Sequence, residues 1–215
     1  MAVSLVWLRR DLRLADNPAL VEAVRSGRPV LFLFNLDSER LNRHDVDGIH
    51  IQWELDCLNQ LRIDVEKRGG AVLFRFGPVL ESLNELHERY AIEAIYGNEE
   101  SGLQWSWNRD KQVAEWCLHQ DIEFIEFPSN GVIRGLASRD DWKALRDRRM
   151  KCSLIEVPLR LSTVKDLHSD PIPHASELGF GVRDLQYRPE PGESAAMETL
   201  FSFLDERGRG YRKGM

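Results

Sequence analysis

Polar groups gather where apolar runs of the chain end: Arg9, Arg10 and Asp11 follow residues 4–8, and Gly97, Asn98, Glu99 and Glu100 follow residues 93–96. Phe34, Asn35 and Leu36 close a third such run. Cations, carboxylates and amides beside an aromatic ring suit a planar, hydrogen-bonding heterocycle better than a triphosphate. Neither GxGxxG nor GxxxxGK followed by Ser or Thr occurs, and Gly208, Gly210 and Gly214 follow a helical pattern instead of opening one after a strand. Dinucleotide and P-loop chemistry are therefore disfavoured. His44, His50, His87, His119, His168 and His174 show no i, i+4 pair and no nearby Ser-Asp partner, so they read as surface groups, with no catalytic residue and no metal site assigned. Cys57, Cys117 and Cys152 are odd in number and far apart; neither a disulfide nor zinc is expected.

The elements that would position these groups follow from periodicity. Short apolar runs rich in Val, Ile and Phe recur at residues 4–8, 29–34, 71–76, 93–96 and 122–127, each suiting a strand buried on both faces. Helical patterns fill the gaps. Asn17-Pro18 reads as an N-cap and first-turn proline ahead of Leu20, Val21 and Val24. Ile51, Leu55, Leu58, Leu61 and Val65 form a second apolar face, Val79, Leu80, Leu83, Leu86 and Tyr90 a third, and residues 107–119 a fourth with Val113, Trp116 and Cys117 on one side. Alternating strand and helix predicts an α/β fold, a doubly wound five-stranded parallel sheet that is Rossmann-like, with order 3-2-1-4-5. In that order the ligand crevice opens between the first and fourth strands, at their carboxyl ends. An ion-pair cluster pinning the first loop is the alternative reading of Arg9, Asp11, Arg13 and Asp16.

Residues 1–128 are expected to form this domain. Periodicity then fades, and Pro158, Pro171, Pro173, Pro189 and Pro191 mark residues 129–192 as an interdomain connector. From Glu193, Met197, Leu200, Phe201 and Leu204 begin a helical face that stops with the sequence at Met215, as the truncated start of a further helical domain would. The 215 residues, 42% of them hydrophobic, suffice for a real core. The opening apolar stretch is too short for a signal peptide or membrane span, so a cytoplasmic protein is expected. A net charge of −6 opposes binding to a phosphate backbone, and weak or no DNA binding is expected of this chain.

Trp105, Trp107, Trp116 and Trp142 invite a redox or energy-transfer role, but large rings at helical spacing more often fill a core or interface. Residues 134–151 hold seven Lys or Arg against three Asp. The segment reads as a solvated amphipathic helix burying Trp142, Leu145 and Met150, with contact to phosphate or an acidic neighbour as the alternative.

The run Val6-Trp7-Leu8-Arg9-Arg10-Asp11-Leu12-Arg13-Leu14-Ala15-Asp16-Asn17-Pro18-Ala19-Leu20 closely resembles the opening signature of the DNA photolyase and cryptochrome family. Asn108-Arg109-Asp110 followed by Val113 and Trp116 resembles its Arg-Asp helix, and Gly131-Val132-Ile133-Arg134 the start of its connector. Ser202-Phe203-Leu204 through Tyr211 is similar to the entry into its helical flavin domain.

The resemblance implies that the full-length protein holds FAD in a helical domain outside this chain and acts on damaged DNA, or signals. It implies that the present domain carries an antenna pigment, a deazaflavin, flavin or folate, passing excitation to the FAD. Folate-using relatives have an Asn-Glu pair just before the Arg-Asp step, where this chain has Trp105 and Ser106. That departure speaks against folate, and Trp105 either stacks on the pigment or fills its pocket. The expected pigment contacts are thus Arg9, Asp11, Phe34, Asn35, Asn98, Glu100, Trp105 and Ser106. Two alternatives are the scaffold domain of a cryptochrome-like photoreceptor without repair activity, and, outside the family, a small nucleotide-binding α/β domain. Repair by these 215 residues alone is expected to be nil.

Overall fold

The computed structural model describes residues 2–181 and 188–213. Five strands, β1 (Val3–Leu8), β2 (Val30–Leu36), β3 (Val72–Phe76), β4 (Ile92–Asn98) and β5 (Glu123–Phe127), pair in parallel in the order β3-β2-β1-β4-β5. The expected α/β class and strand order are what the chain adopts. Among the described residues seven helices accompany them: α1 (Pro18–Arg25), α2 (Ser38–Leu41), α3 (Gly48–Glu66), α4 (Val79–Tyr90), α5 (Gln104–His119), α6 (Trp142–Met150) and α7 (Glu193–Asp205).

Side chains alternate across a strand, so each strand feeds two cores. Val6, Leu8, Phe32, Phe34 and Phe74 pack against Leu20 of α1 and Ile51, Leu55 and Leu58 of α3. Leu5, Trp7, Leu31, Leu33 and Ile95 pack on the opposite face against Leu83 and Leu86 of α4 and Val113 of α5. The N-cap read from Asn17 is present: its side chain accepts the Leu20 amide, with Pro18 at the first helical position. Helix α5 starts three residues earlier than its apolar pattern, because Gln104, Trp105 and Ser106 add a first turn. Strand β5 corrects the expectation of five doubly buried strands. It is an edge strand with Glu123 exposed and its other residues half-buried.

Residues 157–180 are not a free tether. Leu161 donates its amide to Arg68 O at 2.8 Å, Ser162 O accepts the Val30 amide at 2.7 Å, and the Ala175 amide donates to Gln52 Oε1 at 2.7 Å. Along the edge strand β3, the Phe74 amide donates to Ser169 Oγ at 2.9 Å and Phe74 O accepts the Asp170 amide at 3.2 Å. The segment is a belt that occupies hydrogen-bonding groups an edge strand otherwise presents to other chains. Gly70 permits the close fit: a Cβ there would fall 2.9 Å from Leu161 Cδ1.

Helix α6 overturns one sequence reading. Trp142 and Met150 are exposed, at 43% and 61%, and Leu145 is half-buried. The sheet faces are already covered by α1, α3, α4 and α5, so no apolar surface remains for α6 to bury. Polar contacts hold it instead: Trp142 Nε1 donates to Gly131 O at 3.1 Å, and Arg149 donates to Glu99 at 3.0 Å and to Val132 O at 2.6 Å. Five histidines are exposed, but His87 is half-buried, its ring perpendicular to that of Trp116 with centroids 6.0 Å apart, and so is not a free surface group.

Candidate functional site

The loops after β1 and β4 meet as the strand order requires, and their charged groups are spent on one another. Arg9 is buried; its guanidinium donates to Asp110 at 2.6 Å, to Glu126 at 2.8 Å and to the Asn98 carbonyl, and lies 4.8 Å over the Trp7 ring. A Cβ on Gly97 would stand 3.0 Å from Arg9 Nη2, so a residue without a side chain admits the cation. Asp11 accepts the Arg9 amide at 3.0 Å and Asn98 Nδ2 at 2.6 Å, and that same nitrogen reaches Asn17 Oδ1 at 2.9 Å.

Glu100 accepts from Arg109 at 2.8 Å, with Arg10 at 3.4 Å. Burial pushes the Glu100 carboxyl up, but Arg109, Arg10 and Arg9 outweigh it and hold it below the ordinary range. For Arg9, burial pushes the guanidinium down while Asp110 and Glu126 raise it further, so its charge is secure. Arg134 closes the cluster on Glu126 at 3.0 Å and Glu100 O at 2.6 Å.

Of the eight residues singled out from sequence, Arg9, Asp11, Asn98 and Glu100 thus share one ion-pair and hydrogen-bond network. Phe34 is core, stacked on Phe74 with centroids 6.3 Å apart. Asn35 donates to Gly77 O at 2.8 Å and accepts from Ser82 at 2.6 Å. Ser106 donates to Leu103 O at 2.9 Å within the first turn of α5. The space bounded by Arg9, Phe34, Asn35, Glu100 and Trp105 measures only about 10 Å³, room for about one water.

The open cleft lies beside this point, toward the β2 side of the carboxyl ends. It has a volume of about 800 Å³ and shares Arg10, Arg40 and Trp105 with the small crevice. Its walls are the loop from Arg10 to Arg13, Val46, His50, Ile51, Trp53 and Cys57 of the α2–α3 region, Leu103 and Trp105, and Ala196 and Met197 of α7. Asp11 and Trp105 are the sequence-derived residues that line it.

The cleft's carboxylates are engaged. Asp47 caps α3 through the Ile49 amide at 2.8 Å, Asp45 meets Arg43 at 3.0 Å, Glu54 meets Arg40 at 2.7 Å, and Glu193 accepts two backbone amides. Arg10 keeps half of its side chain exposed at the rim. Arg109, 5.1 Å over the Trp105 ring, backs that indole. Burial pushes the Cys57 thiol up, the reverse of what a nucleophile needs. Indoles, aliphatic side chains and Arg10 at the rim make a site for holding a flat guest.

Several wall residues escaped the sequence reading. Four-residue α2 is too short to show a period, and α7 reaches the cleft from the far end of the chain. Ile51 did register, as one member of an apolar helical face.

A doubly wound α/β domain with an aromatic-walled cleft outside the carboxyl ends of its strands defines the class of protein. The chain matches the DNA photolyase family model over residues 4–137 and belongs to that family. It is 26% identical over 218 residues to a deoxyribodipyrimidine photo-lyase of Synechococcus sp., covering 94% of this chain and 45% of that protein. It is 38% identical over 212 residues to a Thermus thermophilus protein of the same name, covering 96% of this chain and 46% of that protein. The chain therefore spans less than half the length of these two relatives.

Two solved structures share the fold. A bacterial class III photolyase from Agrobacterium tumefaciens superposes with TM-score 0.76 at 22% identity, over 100% of this chain and 47% of that one. A Synechocystis sp. cryptochrome superposes with TM-score 0.78 at 16% identity, over 99% and 48%. No helix among the described residues is long and apolar enough to cross a membrane.

Proposed function

We propose that this chain is the light-harvesting N-terminal domain of a photolyase-type flavoprotein, and that the cleft beside Trp105 holds its antenna pigment. The observation that carries the reading is the cleft itself: about 800 Å³, within the range of roughly 300–1,000 Å³ usual for small-molecule sites. When bound, such a pigment, a deazaflavin, flavin or folate, would absorb light and pass excitation to an FAD in a helical domain. Residues 193–215 would begin that domain, and damaged DNA would be the substrate of the longer protein.

The chain's own side chains supply binding and position. Trp105 lines the cleft with the 7% of its surface that is exposed, and Arg109, fixed by Glu100 and Asp110, covers its ring. Trp53 is oriented by donating Nε1 to Pro189 O at 3.3 Å. Leu12, Val46 and Met197 exclude water from the guest's apolar surface, and Arg10 meets polar substituents at the rim. The crowded crevice at Arg9 orders the loop and contacts no guest.

The test is titration of the chain with FMN, FAD, a deazaflavin and a methenyl folate, followed by pigment absorption and tryptophan fluorescence. Saturable binding of one pigment, with quenching reduced in Trp105→Phe, is the expected result. Failure of every candidate to bind would remove the antenna reading and leave a scaffold role. The chain alone is expected to show no lesion repair and weak or no DNA binding, in line with its charge of −6.

A further inference from the structure

Helix α7 buries none of its residues, and Leu200, Phe201 and Leu204 along it stand about half exposed or more. Hydrophobic packing therefore does not fix its place. Yet Glu193, Ala196 and Met197, spaced to share one face of the helix, line the cleft as its roof.

What holds the roof is polar: the stretch before it is anchored on α3 by Trp53 at Pro189 O and by Asp56 at Arg188, and the helix itself is held at its first residue. The two carboxylate oxygens of Glu193 accept consecutive backbone amides of the β1–α1 loop, Leu14 at 2.9 Å and Ala15 at 3.0 Å. Charge-assisted bonds of this kind are stronger than neutral ones, and they supply the loop amides with acceptors. Just before them, Gly192 presses onto α3: its φ is +98°, and a Cβ there would fall 2.5 Å from Gln60 Cγ. Cys57 lies in the same wall, 7% exposed beneath this contact.

We propose that Glu193 is a latch holding α7 over the cleft, so that release of this one carboxylate from the Leu14 and Ala15 amides governs passage of a guest in and out. The role of the guest rests on the antenna reading; the latch does not. With the carboxylate seated, the first turn of α7 closes the wall over Cys57. With it released, no buried side chain of α7 returns the helix to its place.

Cys57 provides a readout that needs no pigment. In a Cys152→Ser background, which removes the exposed thiol, N-ethylmaleimide alkylation of Cys57 is timed by mass spectrometry. Cys117, 1% exposed and with its thiol pushed up to about 12 by burial, reports any opening of the whole domain. Glu193→Ala is expected to speed Cys57 alkylation about tenfold or more while Cys117 stays unreactive, the scale set by losing charge-assisted bonds. Glu193→Gln keeps one acceptor and should fall between; it also carries the test if the alanine variant does not fold.

An unchanged Cys57 rate, or Cys57 and Cys117 rising together, would overturn the latch. With FMN as probe, dissociation should quicken in the same variants. If FMN and the other pigments fail to bind the unaltered chain, the antenna reading falls while the alkylation rates still decide the latch.

Discussion

The Asp110 carboxylate meets the Arg9 guanidinium at 2.6 Å, tying the loop after β1 to the middle of α5 across 101 residues of sequence. Both side chains are buried, with 1% and 5% of their area exposed. Such a pair contributes little net energy when intact, since desolvation offsets attraction, but breaking it strands a charge.

Asp110→Ala should therefore destabilise the chain by about 3–5 kcal/mol, measured by urea unfolding. Glu126 and the Asn98 carbonyl still contact Arg9, which places the result at the lower end. A loss under about 1 kcal/mol would show that Asp110 is not what neutralises Arg9.

The ion cluster also sets an acid dependence. Arg109 and its neighbours hold Glu100 below the ordinary carboxyl range despite burial. A group whose pKa is depressed on folding stabilises the fold above its unfolded value, and that contribution disappears as pH falls through the folded value. Glu100→Gln should cost about 1.5–3 kcal/mol at pH 7, and the gap from the unaltered protein should narrow below about pH 4.3. A gap that stays constant down to the acid limit would contradict the assignment.

At the cleft, Trp105→Ala should weaken pigment binding about tenfold or more, equivalent to about 1.4 kcal/mol. Arg9→Lys, remote from the open volume, should change stability more than affinity. The two variants compared by fluorescence titration and urea unfolding separate guest contact from loop ordering, and equal effects on affinity would refute the division.

On the belt, Ser169→Ala removes the acceptor of the Phe74 amide. The expected cost is about 1–3 kcal/mol, with faster hydrogen exchange at Phe74 and no change at Leu31 in the sheet interior. Uniform acceleration across the sheet would place the effect elsewhere.

Much of this architecture is legible in local pattern. Apolar runs joined by helical periods dictate parallel pairing, and Asn17-Pro18 announces α1 through its own capping chemistry. The site was legible only in part. Arg9, Asp11, Asn98 and Glu100 do converge, but residue type alone does not reveal whether converging charges face a guest or one another. Asp110, Glu126 and Arg134 decide that, and they arrive from a helix, a strand and a turn whose own patterns do not mark them as partners. The cleft was hidden for a second reason: α7 reaches it from the far end of the chain, and the α2–α3 turn contributes single residues without a period. Trp142 shows a third limit. An apolar residue at helical spacing is buried only if a partner surface remains uncovered, and α6 finds none.

The belt along β3 carries a consequence for biosynthesis. Ser169 and Asp170 leave the ribosome only after every strand and α6 have been made, so the nascent sheet must exist for a time with its outermost backbone groups bare. During that interval the growing polypeptide is most open to pairing with a neighbouring chain, and the speed at which translation continues past α6 sets how long the hazard lasts.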